Sequence, residues 1–149
     1  MAAESGAEVV IADPAPTRRA LGSRFGATGG TPSPEAFDVA VELSGNPTAV
    51  ADCIRSLRTG GHAVLAGSVF AGPPVGIDPE KVVRGLLRIT GVHNYRAGDL
   101  TTAVDFLATH HDHYPFAELV APAHPLDRIG TAVTDAAEQP DVLRQAVVP

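Results

Sequence analysis

The sequence has no tryptophan and one cysteine, Cys53. A single thiol excludes an internal disulfide and a cysteine-built zinc site, and it suits a reducing cytoplasm. Lysine is almost missing too: Lys81 stands alone against ten arginines. Positive charge is outweighed, with a formal net charge of −6 over 149 residues. That balance points to neither nucleic acid nor an anionic membrane as a partner. No apolar run is long enough to span a bilayer. The opening residues lack the basic and apolar regions of a signal peptide, so a cytoplasmic location is expected. A further gap lies ahead of "AEVVIADPAP" (Ala7 to Pro16), which reads as a buried strand ending on an acid, then a proline-marked turn into a helix. In a nucleotide-binding fold such a strand usually comes second, after a strand and a glycine-rich phosphate loop. Here only Met1 to Gly6 precede it.

What is present describes a globular α/β chain. Hydrophobic residues make up 44% of it, and its length suits one domain with a real core. Strands are expected at Glu8–Asp13, Phe37–Leu43, His62–Ala66 and Leu86–Val92. Their unbroken apolar runs suit a parallel sheet covered on both faces. Helices are expected at Pro16–Phe25, Thr48–Leu57, Pro79–Gly85, Leu100–His110 and Leu126–Glu138. Thr28–Pro34 and Phe70–Ile77 read as loops, and Gly60-Gly61 as a helix stop. Two shorter strands, Leu119–Ala123 and Leu143–Val148, would follow. The alternation predicts a doubly wound, mostly parallel sheet.

Ligands of such sheets sit at the carboxyl ends of the strands. Those ends are Asp13, Ser44-Gly45, Gly67-Ser68 and Gly91-Val92-His93. Small residues there let a flat ligand approach the backbone. Asp13 is suited to accept hydrogen bonds from two ribose hydroxyls and to repel a 2′-phosphate, which favours NAD over NADP. It could equally cap the next helix.

In order, "VVIADPAPTRRALGSRFGAT", "FDVAVELSG", "LRTGGHAVLAGS", "LRITGVHNY", "PLDRIGTAV" and "LRQAVVP" resemble the C-terminal, cofactor-binding part of the medium-chain, zinc-type alcohol dehydrogenases. "RITGVHNY" is most similar to the branch found with phosphonate catabolism genes. The resemblance covers almost the whole chain and implies a Rossmann-like domain over residues 1–149, incomplete because its first strand and phosphate loop are absent. It implies that Asp13 and Arg18 meet the adenosine ribose, and that Ser44 and Gly45 line the adenine and ribose side. Gly67 and Ser68 would lie along the nicotinamide. The backbone of Val92, His93 and Asn94 would meet its carboxamide, and Arg144 would reach the diphosphate. The cofactor implied is NAD, with NADP less favoured. Zinc and the proton relay would belong to a catalytic domain outside this chain, so no catalytic residue is expected in it. The chain alone is then expected to be inactive in zinc-assisted hydride transfer.

Without a central first strand, Glu8–Asp13 and Phe37–Leu43 would each keep an open apolar edge. Those edges could pair with a second copy or another partner, which makes an oligomerising or partner-binding module the alternative reading. Other features read more plainly. His110, His111 and His113 in "THHDHY" could hold a metal with Asp112, but suit a helix C-terminus. His93 could shuttle a proton, though its backbone matters more in the reading above. Glu42 is expected to serve structure near the cleft, and Cys53 to be a small buried apolar residue. Ser68 has no G-x-S-x-G setting for a nucleophile.

Overall fold

Every ladder among the described residues is parallel. The computed structural model describes residues 1–139 and 141–149. They form two compact units, one of residues 1–30 with 97–149, the other of residues 31–96.

In the first unit, β1 (Val9–Ile11) pairs with β2 (Ala27–Gly29), Val9 opposite Ala27 and Ile11 opposite Gly29. The crossover is α1 (Pro16–Gly22), which Pro16 starts at its first position. A 3-10 turn at Ser23–Phe25 follows, and Gly26 at φ 75° ends it. Helix and strand approach closely at Gly22, where a Cβ would stand 2.5 Å from Ile11 Cδ1. The sequence reading placed Thr28 and Gly29 in a loop. They extend β2 instead, a strand of three residues and too short to show a period.

The same unit holds α4 (Ala97–His110) and α5 (Ile129–Glu138), with β6 (His124–Pro125) paired to β7 (Val147–Val148). Phe25, Tyr114 and Phe116 pack together with ring centroids 5.5 to 5.7 Å apart. The strand expected at Leu119–Ala123 does not form. Phe116–Leu119 is a 3-10 turn, and Val120 makes a lone bridge to Arg144. Ala121 N donates to Arg144 O and His124 N to Ala146 O, both at 2.8 Å, three residues on one strand against two on the other, so the register slips and a regular ladder begins only at β6. For the same reason the expected strand Leu143–Val148 shortens to β7. Leu126–Arg128 forms a 3-10 turn ahead of α5.

The second unit is a sheet ordered β3-β4-β5: β3 (Phe37–Glu42), β4 (Leu57–Leu65) and β5 (Arg88–Gly91). The crossovers run through α2 (Pro47–Arg55) and α3 (Pro79–Arg84). Each helix has proline in its first turn. Each also has a side-chain cap, Asn46 accepting from Thr48 N and Asp78 from Glu80 N. The core gathers Val50, Cys53 and Ile54 of α2 with Leu57 and Ala63 of β4. Leu57 is 1% exposed; burying such a side chain is worth about 1.5–3 kcal/mol.

Leu57 was expected in the helix, and β4 was expected to begin only at His62. The helix in fact closes at Ser56, whose carbonyl accepts from Ala36 N and Phe37 N, and β4 starts at once. Phe37 pairs with Leu57 but Val39 with His62, so β4 bulges between them. Gly60 at φ 80° lies in that bulge, so the glycine pair bends a strand rather than stopping a helix.

Among the described residues, β1 has a ladder on one side only, with β2, and β3 on one side only, with β4. Val39 and Val41 of β3 and Leu43, just past its end, alternate in the sequence and are 56%, 56% and 75% exposed.

Candidate functional site

The strand ends of the second unit are built around a buried acid. Glu42, the last residue of β3, is 4% exposed. Its Oε1 accepts from Ser44 N (2.7 Å), Ser44 Oγ (2.6 Å) and Gly45 N (2.9 Å), and its Oε2 from Gly45 N (3.1 Å). Its backbone carbonyl accepts from Ala66 N (2.9 Å) and Gly67 N (3.0 Å). One residue thus fixes the turn after β3 and the turn after β4. The two turns touch so closely that neither glycine can carry a side chain. A Cβ on Gly45, at φ 71°, would stand 2.6 Å from Gly67 O, and one on Gly67 would stand 2.3 Å from Leu43 C. Ser44, Gly45, Gly67 and Ser68 are therefore brought together as the sequence suggests.

Next to them is an open depression of about 490 Å³ lined by Leu65, Ala66, Ser68, Gly91, Val92 and His93. Val92 N donates to Leu65 O at 2.9 Å, carrying the β4–β5 ladder one step past β5. Asn94 takes a left-handed conformation, φ 60°, which asparagine tolerates better than most residues. A Cβ on Gly91 would meet nothing within 4 Å, so there is room against the backbone there. A glycine there lets a flat group approach the strand backbone.

Asp13 follows β1 in the first unit. Its Oδ1 accepts from Ala15 N (2.8 Å) and Arg18 Nε (3.0 Å), its Oδ2 from Arg18 Nε (3.1 Å). Arg19 donates to its backbone carbonyl. The acid both turns the chain into α1 and is held by Arg18, and carboxylate oxygens in such a setting keep further lone pairs. Arg144 bridges to Val120, and its Nη1 donates to Leu143 O at 2.7 Å.

Two histidines of "THHDHY" lie about Glu4, while His111 Nε2 is 3.3 Å from Asp112. Tyr114 OH donates to Glu4 Oε1, while His110 Nε2 and His113 Nε2 each lie 3.7 Å from its carboxylate. The Tyr114 hydrogen bond, helped by the two histidines and the N-terminus, holds the Glu4 carboxyl below its usual range and pushes the Tyr114 phenol up. Among the described residues, no group of three or more His, Cys, Asp or Glu could hold a metal ion. The residues present therefore do not fit a zinc site. Cys53 is buried, its thiol pushed up first by burial and then by the charge of Glu42.

Sequence reasoning undervalued Glu42 and passed over Arg19. An acid closing an apolar strand two residues before Ser-Gly was the available signal, because the free N–H groups of such a turn need an acceptor.

Parallel strands joined by helices, with small residues at their carboxyl ends, define a Rossmann-like cofactor-binding domain. The chain belongs to the zinc-binding dehydrogenase family, whose profile matches residues 1–109. It thus falls within an oxidoreductase family, as part of the cofactor-binding domain. Solved structures share the fold. An alcohol dehydrogenase from Thermotoga maritima superposes with a TM-score of 0.82 at 15% identity, over 95% of this chain and 44% of that one. A zinc-binding dehydrogenase from Sinorhizobium meliloti 1021 bound to NADP gives 0.73 at 22% identity, over 95% and 45%. A short chain alcohol dehydrogenase from Escherichia coli CFT073 complexed with NADH gives 0.71 at 14% identity, over 87% and 41%. The chain thus spans less than half the length of each. No curated protein matches it. None of the described helices is long and apolar enough to cross a membrane.

Proposed function

We propose that this chain binds a nicotinamide dinucleotide, NAD in preference to NADP, and orients it for hydride exchange with an alcohol. The observation that carries the reading is the depression at the ends of β4 and β5, floored by Gly91 and bordered by the Gly45–Gly67 contact. Gly67 and Ser68 would lie along the nicotinamide, and the backbone of Val92, His93 and Asn94 would meet its carboxamide. Ser44 and Gly45 would line the adenine and ribose side. Asp13 would accept from the adenosine ribose hydroxyls, with Arg18 steadying it. Arg144 is the residue proposed for the diphosphate, and it would have to release Leu143 O to bind one.

A bound nicotinamide would accept a hydride from the alcohol carbon while the hydroxyl proton passes to water, the alcohol being oxidised and the nicotinamide reduced. This chain's own share is to bind the cofactor and fix the exposed face of its ring.

The preference for NAD rests on the charge of Asp13, which repels a 2′-phosphate. Arg18, bonded to both carboxylate oxygens, offsets part of that charge, so discrimination should be moderate. The relatives bound to NADP and to NADH support a nicotinamide cofactor without choosing between the two.

The test is titration of NADH and NADPH, read by calorimetry and by dihydronicotinamide emission, since the chain has no tryptophan to interfere. Wild type should bind NADH more tightly than NADPH. Asp13→Asn keeps an acceptor for Ala15 N but loses the charge. It should weaken NADH about tenfold, the worth of a charged hydrogen bond, and narrow the gap to NADPH. Unchanged NADH affinity in that variant would sink the role of Asp13, and no binding by wild type would sink the reading.

A second reading is favoured by the exposed row Val39, Val41 and Leu43 beside the open edge of β3. On it the chain associates with a second copy or a partner through that edge. Sedimentation at increasing concentration separates a monomer from a self-associating chain.

A further inference from the structure

We propose that Glu42 is a positioning residue: its buried carboxylate holds the Ser44–Gly45 turn in the shape that receives the cofactor. The proposal rests on the cofactor reading above. Three features of Glu42 carry it.

It is a nearly inaccessible acid whose observed partners are backbone N–H groups and one hydroxyl, with no arginine or lysine among them. Burying a carboxylate is costly unless its oxygens are well satisfied, so three convergent donors mark a built arrangement. The donors also belong to consecutive residues of one turn. The carboxylate therefore dictates the direction of both N–H groups and the left-handed bend at Gly45. Finally, the carbonyl of the same residue accepts from Ala66 N and Gly67 N. The shape of the β3 turn is thereby passed to the β4 turn, against which it packs at backbone contact distance.

A glutamine at this position keeps one carbonyl oxygen for Ser44 but turns an NH2 group, or a lone acceptor already in use, toward Gly45 N. Alanine removes every acceptor. Glu42→Gln should therefore retain part of the function and Glu42→Ala almost none. A purely structural role predicts something else, a uniform loosening of the second unit with either variant.

The experiment is amide hydrogen exchange by NMR on the full chain, with NADH titration of the same samples. In Glu42→Gln the amide of Gly45 should exchange about tenfold faster, as expected for one lost charged hydrogen bond, and that of Ser44 less so. The ladder amides of Ala63 and Val64 should stay protected. NADH should bind about tenfold more weakly, and Glu42→Ala should be worse on both counts. Should the Glu42 variants fail to fold, Ser44→Ala serves instead. Ser44 is exposed, and its hydroxyl donates to Glu42 and accepts from Asn46 N, so its loss loosens the turn at both points and Gly45 should still exchange faster. Unchanged exchange at Ser44 and Gly45, or equal loosening of Ala63 and Val64, overturns the proposal. So does a loosened turn with undiminished NADH affinity. If wild type binds no NADH, the cofactor reading fails with it, while the exchange data still report whether Glu42 holds the turn.

Discussion

Two acids in this chain show how neighbours set a carboxylate's behaviour. Glu4 is held below its ordinary 4.5 by the Tyr114 hydrogen bond first, with His110, His113 and the N-terminus adding to it. Tyr114 is raised above its ordinary 10.0 by the same bond. A lowered acid contributes stability that is present above 4.5 and lost as pH falls through its folded value. A raised phenol contributes stability that is present below 10.0 and lost as pH rises through its folded value. The bond therefore supports the first unit across the whole neutral range and fails at both extremes. Tyr114→Phe should lower Tm near neutrality and flatten the fall in Tm below 4.5 and above 10.0; thermal scans across pH check it. Asp13 is a different case, since its carboxylate already serves Ala15 N and Arg18 and would serve a ribose with what remains.

Helices α2 and α3 were legible in the sequence because Asn46-Pro47 and Asp78-Pro79 write their starts directly. Their ends were less so. Gly85 looks like the left-handed stop of α3, yet it sits at φ −78°, and a Cβ on it would stand 2.6 Å from Lys81 O. The left-handed residue is Leu86, φ 50°. Leu86 N donates to Val83 O and Leu87 N to Val82 O, the paired bonds of a Schellman end with leucine in the glycine position. Leu86 is 73% exposed, so it gains little from burial in return. Leu86→Gly should stabilise the chain by about 1 kcal/mol, the cost of a left-handed non-glycine residue, visible as a shifted denaturant midpoint with unchanged slope. The bulge in β4 and the strand β2 escaped notice for another reason. Pairing partners far along the chain determined both, and local periodicity carries no trace of them.

Across the whole molecule, apolar surface is plentiful. Val39, Val41 and Leu43 alternate along β3 and just past its end, and Leu100, Val104 and Leu107 recur at helical spacing on α4, between 45% and 55% exposed. Contiguous patches of this kind mark contact surfaces. Val41→Lys should reduce binding of a hydrophobic dye and any concentration-dependent sedimentation, while shifting stability by no more than about 0.5 kcal/mol, as for other exposed positions. The candidate site was legible in part. Ser44, Gly45, Gly67, Ser68, Val92 and His93 meet within one unit because strand ends and glycines mark them. Asp13 and Arg144 belong to the other unit, and spacing alone could not say what holds them.

All these ladders being parallel also bears on how quickly the chain can organise itself. A parallel pair cannot be closed by a two-residue hairpin, so each ladder waits until an intervening helix or long loop has been brought round. The β3–β4 ladder needs only α2 to be looped out, while β6 and β7 need α5 and the segment after it. Closure entropy grows with the span to be closed. In a refolding time course the β3 amides that face β4 should gain protection before those of His124 and Val148. The chain should fold slowly for its size, spending longer than a hairpin-rich protein with its strands unpaired.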